Sequence, residues 1–504
     1  MTAPTPDVAP PTWAAPCAAG PVDGQVRVPG SKSLTNRWLV LAALADGPCT
    51  LHHPLRSSDT EHMVGALRIL GVRIDTSEDD RWVVEPPLER SFTSGVEVDC
   101  GQAGTVMRFV PPLAALADGP VRFVGHHSAL ARPVGPVLDG LRALGVAVDD
   151  EGRGTLPFTV RGIGRGRPAG SAQPLEPGRP TVPDAGADSG LVPPALPRVR
   201  IDASASSQFV SALLLAGSAY PAGLHLEHTG SVLPSLPHVQ MTLEVLDRVG
   251  VVVDRPTPTS WRVHPGPVRA FEIEVEPDLS SAAPFLALAA VTGGRMCVPG
   301  WPSATSQPGE RMREVLEAMG ARTELAVGTL TVHGAPGGRL RGVDLDLGEV
   351  GELTPVVSAL AVVAHGPSRL RGVGHLRGHE TDRLTALATE ITRLGAGARE
   401  TPDGLEIEPA PLRPARLRTY HDHRMAMFAA VVGAVAPGVL VEDVATVGKT
   451  YPGFDRVWST VVASAEGGVP SIASAAGDGV SINSPSDGRS KGPAHTELQR
   501  EEER

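Results

Sequence analysis

Two kinds of apolar stretch alternate along this chain. In one kind, such as FVSALLLAGSAY (209–220) and APFLALAAV (283–291), nearly every position is apolar. A helix of that composition has to be buried on all sides. In the other kind, such as TEHMVGALRILG (60–71), the apolar residues Met63, Leu67 and Leu70 fall on one helical face. Each all-apolar stretch ends in a glycine turn that opens a short strand: ADGPCTL, ADGPVRF, PAGLHLE, TGGRMCV, AHGPSRL and APGVLVE, with Gly47, Gly119, Gly223, Gly294, Gly366 and Gly438. The amphipathic stretches close on Gly71, Gly145, Gly250, Gly320 and Gly395. The turn glycines are spaced by 72, 104, 71, 72 and 72 residues. So even a period identifies a repeat before any fold is chosen. Six units of two helices and at least two strands follow, and grouping three units around three buried helices gives two domains.

The one long interval exceeds the period by about 32 residues, which matches residues 165–196, RGRPAGSAQPLEPGRPTVPDAGADSGLVPPAL. That stretch has no periodicity and little to bury, and is expected to be a disordered insertion. Residues 1–20 and the Ser/Gly-rich 467–504 are expected to be disordered ends. The predicted class is therefore α/β. Residues 31–275 form a domain of units one to three. Residues 21–30 and 276–465 form a domain of units four to six.

The starts of the all-apolar helices are unusual. They read SKSLTNR (31–37), GQAGTVMR (101–108), SSQF (206–209), DLSSA (278–282), GELTP (351–355) and HDHRMAM (421–427). On the plainest reading Ser31, Thr105, Ser206 and Ser280 are ordinary caps and the arginines reach out to water. Lys32, Arg37, Arg108 and Arg424 oppose the helix dipole unless an anion sits there. Six such starts, convergent in a repeat, point to a site for phosphate or carboxylate. Three loops add to it: GHHSALARPVG with Arg132, GHETDRL with His379, Glu380 and Arg383, and ATVGKTYPGF with Lys449. His421 and His423, two apart, do not share a helix face and suggest no metal site.

Composition narrows the reading further. The formal charge of -11 argues against a nucleic-acid surface but leaves room for a locally basic cleft. Aromatics make up 4% of the chain, so the cores must be filled by Ala, Val and Leu. Lys32, Lys449 and Lys491 are the only lysines among 45 basic residues, which singles out the two that lie in motifs. Cys17, Cys49, Cys100 and Cys297 form no metal or disulfide pattern. With no signal-like start and no membrane-length apolar run, a cytoplasmic protein is expected.

Taken in order, PGSKSLTNR, GQAGTVMR, ARPVG, SASSQF, PSLPH, GHETDRL, HDHRMAM and VGKTYPGF resemble the 5-enolpyruvylshikimate-3-phosphate synthase family of enolpyruvyl transferases over about residues 20–465. The resemblance implies transfer of the enolpyruvyl group of phosphoenolpyruvate to the 5-hydroxyl of shikimate 3-phosphate, through a tetrahedral intermediate and with release of phosphate. It implies a fold of two domains, each of three βαβαββ units, hinged near Pro29–Ser31 and Val275–Pro277. For shikimate 3-phosphate it implies Lys32, Ser33, Arg37, Ser206, Ser207, Gln208, Ser235, Glu352 and His379. For phosphoenolpyruvate it implies Lys32, Gly104, Arg132, Gln208, Arg383, Arg424 and Lys449. Glu352 matches the acidic residue acting on the 5-hydroxyl and Glu380 the second catalytic acid, with Lys32 as a further proton carrier. No metal or cofactor is implied, and a single chain acting alone is the default.

The chain departs from the commoner family pattern at Gln102 (Asn), Glu352 (Asp), His379 (Lys), His238 (Tyr) and His375 (Asn). A sister enzyme acting on UDP-N-acetylglucosamine normally carries a cysteine near HHSALAR, and this loop has none. A non-catalytic repeat protein binding phosphorylated ligands would be indifferent to Glu352 and Glu380. A structural solenoid would end in polar caps, yet the sixth unit is as rich in motifs as the first.

Overall fold

The structure is a computed structural model that describes residues 10–88, 91–164, 196–466 and 472–474. Six small sheets surround two bundles of inner helices. The second unit shows the plan. Strand Val96–Asp99 leads through inner helix Val106–Phe109, continued as Pro111–Ala114, to strand Asp118–Val124. Outer helix Gly135–Ala143 then leads to the hairpin Ala147–Asp149 and Phe158–Ile163. The first two strands pair parallel, and the hairpin adds antiparallel beside the second. Pro111, which has no N–H to give, divides the inner helix. The third and fifth units repeat this order.

The first and fourth units take their leading strands from elsewhere. Glu272–Glu274 pairs parallel with Cys49–His52, so the end of the third unit supplies the first strand of the first. Asp23–Arg27 pairs parallel with Arg295–Pro299, so the N-terminal segment supplies the first strand of the fourth. The chain crosses between the halves side by side at these places. Gly30 bridges Pro277, Ser31 N donates to Glu276 O at 2.7 Å and Asp278 N to Pro29 O at 2.8 Å.

Two separate hydrophobic clusters result. One gathers buried residues from Leu34 to Val275. The other joins Ala15, Val22 and Val26 to residues from Leu279 to Val462. Inner helices Lys32–Leu44, Val106–Phe109 and Gln208–Gly217 meet in the first cluster. Leu279–Thr292, Thr354–Val362 and His423–Gly433 meet in the second. The helix-closing glycines have a physical reason. Gly71, Gly145, Gly250, Gly320 and Gly395 all hold φ between +80° and +107°, the left-handed cap that side chains with a Cβ resist.

Two expectations are corrected. Within residues 1–20, Thr12–Ala14 is a strand antiparallel to Leu440–Glu442, and Ala15 and Ala18 donate backbone hydrogen bonds to Val439 and Ala434. Trp13 packs against the second cluster, so this segment takes the place that the returning strand holds in the other units. Within 467–504, Ile472–Ser474 is a strand parallel to Gln25–Arg27. Partners more than 400 residues away leave no local pattern to read. The rest of the expected tail, residues 1–9, and residues 165–195 of the expected insertion lie outside the described residues.

Candidate active site

All six inner helices present their N-termini to one cleft between the halves. Its walls include Ser31, Lys32 and Ser33 from the first unit, Gly104 and Thr105 from the second, and Ser206, Ser207 and Gln208 from the third. Asp278 and Ser280 come from the fourth, Glu352 from the fifth, and His423 and Arg424 from the sixth. Loops add Arg132, Ser235, His379, Glu380 and Arg383. Free N–H groups and positive dipole ends thus face a common space lined with cations, an arrangement that favours multiply charged anions.

Each cation is held by a partner. Lys32 Nζ lies 3.0 Å from Asp59 Oδ2, and Lys32 N donates to Asp278 Oδ2 at 3.2 Å, tying the first unit to the fourth. Arg132 Nη1 donates to Gln102 O at 2.8 Å. Gly104 leaves room for it, since a Cβ there would stand 2.5 Å from Arg132 Nη2 and push the guanidinium aside. Arg383 makes a two-pronged pair with Asp422, Nε to Oδ2 at 2.7 Å and Nη2 to Oδ1 at 3.1 Å. Arg424 Nη1 donates to Ser280 O at 2.7 Å. That carbonyl is free because Pro284, four residues on, has no N–H to offer it.

Two predicted residues lie off the cleft wall. Arg37 is 1% exposed and encloses itself among Thr242 Oγ1 (2.8 Å), Ser33 O (2.9 Å) and His238 O (2.9 Å), so it fixes Ser33 from behind. Lys449 lines an adjoining hollow with Gln102, His126 and His421, a hollow that shares Asp59 with the cleft. Its Nζ donates to His421 O at 2.7 Å.

The two carboxyls sit apart on the second half. Glu352 Oε2 is 2.8 Å from His238 Nε2, and Oε1 accepts from Ser280 Oγ. Burial alone would raise the Glu352 carboxyl, but the His238 imidazole, the Arg424 guanidinium and the Ser280 hydroxyl together hold it below the usual carboxylate range. Glu380 Oε2 is 3.0 Å from His423 Nδ1 and 3.7 Å from Arg383 Nη2. Burial opposes its ionisation too, and His423, Lys449 and Arg383 overcome it, so Glu380 also stays ionised. The rings of His379 and His375 are neutral. Burial and then Arg383 lower both, His375 to about 4. Glu380, Asp422 and His423 bring ligand atoms within 4.8 Å of one another. With Asp422 engaged by Arg383 and by the backbone of Arg424, the trio is an ion-pair network.

The sequence marks Ser280 only as a cap, His238 only as a departure from the family pattern and the buried Arg108 only as a basic helix start, none of them with a substrate role, and it holds no sign of Asp59. Arg108 Nη1 holds Gln208 Oε1 at 2.7 Å and its Nη2 holds Pro133 O at 3.0 Å, joining two parts of the wall. Arg108 carried a signal, a basic residue at an inner-helix start. Asp59 carried none, since an acid in the first turn of a helix is commonplace.

A family model described as EPSP synthase (3-phosphoshikimate 1-carboxyvinyltransferase) matches residues 17–173 and 188–458. A 3-phosphoshikimate 1-carboxyvinyltransferase of Kocuria rhizophila is 50% identical over 461 residues, covering 90% of this chain and 97% of that protein. Among solved structures, an EPSP synthase of Acinetobacter baumannii superposes with a TM-score of 0.69 at 20% identity, covering 90% of this chain and 98% of that one. The enolpyruvyl transferase NikO of Streptomyces tendae gives 0.64 at 17%, covering 89% and 95%. At these identities the two structures bear on the fold alone.

Proposed function

Since this chain belongs to the EPSP synthase family and transfers the enolpyruvyl group of phosphoenolpyruvate to the 5-hydroxyl of shikimate 3-phosphate, releasing phosphate, we propose how its residues divide that work. Shikimate 3-phosphate is held by Lys32, Ser33, Ser206, Ser207, Gln208, Ser235, Glu352 and His379, with Arg37 acting through Ser33. Phosphoenolpyruvate is held by Lys32, Gly104, Arg132, Gln208, Arg383, Arg424 and Lys449. The observation that carries this assignment is the meeting of six helix N-termini, drawn from both halves, in one cation-lined cleft.

The two substrates together bring about five to six negative charges, whose mutual repulsion and desolvation the cations and helix ends offset. Guanidinium forks suit the planar carboxylate, and Lys449 suits a single phosphate oxygen. Glu352, ionised and aimed into the cleft, takes the proton of the 5-hydroxyl as oxygen attacks C2. Glu380 serves C3. It is ionised in the free protein because cations surround it, and an anion bound on Lys449 and Arg383 removes that influence and raises its affinity for a proton. Lys32 is the further proton carrier at the junction of both substrates. His379 offers a neutral ring, so it contributes a hydrogen bond to shikimate 3-phosphate rather than charge.

The domain boundaries proposed are 31–275 and 21–30 with 276–465, the second extended to take in Thr12–Ala14 and Ile472–Ser474, supported by the two separate cores. One chain supplies both walls of the cleft, which supports action as a monomer. No helix of the described residues is long and apolar enough to cross a membrane. The substrates are multiply charged and do not cross bilayers unaided, which supports a cytoplasmic enzyme.

Phosphate release from phosphoenolpyruvate, measured with and without shikimate 3-phosphate, tests the assignment. Release is expected only with both present. Glu352→Gln and Glu380→Gln are each expected to lower kcat by about 10²-fold or more while substrate binding is largely kept. Unchanged turnover in either variant defeats the role given to that residue.

A further inference from the structure

His238 lines the cleft, yet none of the roles above uses it. It stands near the start of helix Leu236–Arg248, whose N-cap Ser235 is held at φ +51°. Ser235 N donates at 3.2 Å to Gly348 O, which belongs to the opposite half. The His238 carbonyl accepts from Arg37 Nη2 and from Thr242 Oγ1, both at 2.9 Å. The backbone of this residue is therefore clamped, and its side chain is mostly buried. From that fixed base, Nε2 reaches across the gap to Glu352 Oε2 at 2.8 Å. An ionised carboxylate only accepts hydrogen bonds, so Nε2 is the donor.

Glu352 is thereby held at both oxygens, by Ser280 of its own half and by His238 of the other. A general base must keep a lone pair on the hydroxyl proton, and an unrestrained carboxylate swings away from it. We propose that His238 is a positioning residue for enolpyruvyl transfer, setting the plane of the Glu352 carboxylate when the two halves meet. The base is then complete only across the gap, because one of its two donors comes from each half. Arg37 behind the His238 backbone, and Arg424 and Arg383 on the Glu352 side, are further charged groups that bear on the pair. The inference rests on Glu352 being the base.

The test is a double-mutant cycle on the full chain, read as kcat and as KM for both substrates. His238→Ala is expected to lower kcat by about 10- to 100-fold, with KM for phosphoenolpyruvate within about threefold of the parent. His238→Gln, whose amide N–H reaches the same oxygen, is expected to recover most of the loss. In a Glu352→Gln background, His238→Ala is expected to cost less than about twofold more. If the alanine variant does not fold, His238→Asn, too short to span the gap, takes its place in the cycle. Losses that multiply, a glutamine variant no better than alanine, or an unchanged kcat in His238→Ala overturns the inference. Full turnover in Glu352→Gln overturns both it and the base assignment.

Discussion

His375 sits half-buried in the cleft wall, and burial and Arg383 hold its pKa near 4. The unfolded chain returns it to 6.5. Between those values the unfolded state binds more protons than the folded one, so stability falls as pH falls through that window. The full effect is about 3 kcal/mol, present above pH 6.5 and gone near pH 4. Urea unfolding from pH 7 to pH 4.5 is expected to show a shallower loss for His375→Asn than for the parent, and equal slopes would refute this. At this scale much of the site was legible. Lys32, Arg132, Arg383 and Arg424 were visible as cations that an ordinary helix start or loop does not need. Asp59 and Ser280 were not, because their importance lies in what they face across the fold.

The inner helix Leu279–Thr292 shows how an element serves the site. Its N-cap Asp278 accepts from Ser281 N at 2.8 Å with one oxygen and from Lys32 N with the other, so a single cap fastens both halves. Pro284 costs the helix a hydrogen bond and leaves the Ser280 carbonyl to Arg424. Replacing Pro284 by alanine restores an N–H that competes for that carbonyl. Pro284→Ala is expected to raise the urea midpoint, since proline in a helix interior costs about 3 kcal/mol relative to alanine. It is also expected to reduce kcat/KM for phosphoenolpyruvate by about threefold to tenfold as Arg424 loses its anchor. A variant equally stable and equally active would show that neither contact matters. The helices themselves were legible from composition, because an Ala/Leu run with no polar face has only one place to go. The proline read as a simple part of such a run, since nothing local tells which carbonyl it frees.

At the scale of the molecule, the halves differ in how the chain builds them. The first is contiguous, with its leading strand Glu272–Glu274 at its own end. The second is split, borrowing Asp23–Arg27 and Thr12–Ala14 from the start of the chain. A piece spanning 31–275 is therefore expected to fold alone, with cooperative unfolding followed by circular dichroism. A piece spanning 276–466 is expected to fold only when residues 10–30 are supplied. Independent folding of 276–466 would show that the borrowed strands are dispensable. The six-fold period and the two-by-three grouping were legible because each unit carries its own glycine caps. The strand at Thr12–Ala14 was not, because a short Pro/Ala-rich segment gains its order only from a sheet edge built much later.

The split of the second half has a consequence for biosynthesis. Asp23–Arg27 leaves the ribosome early, but its parallel neighbour Arg295–Pro299 follows about 270 residues later. At ~5–20 residues per second, that leaves roughly 14 to 54 s in which a nascent strand has no mate while the contiguous half has time to form beside it. Through that interval the emerging polypeptide offers a bare edge to any neighbour, and its safe passage depends on how quickly translation delivers the second half.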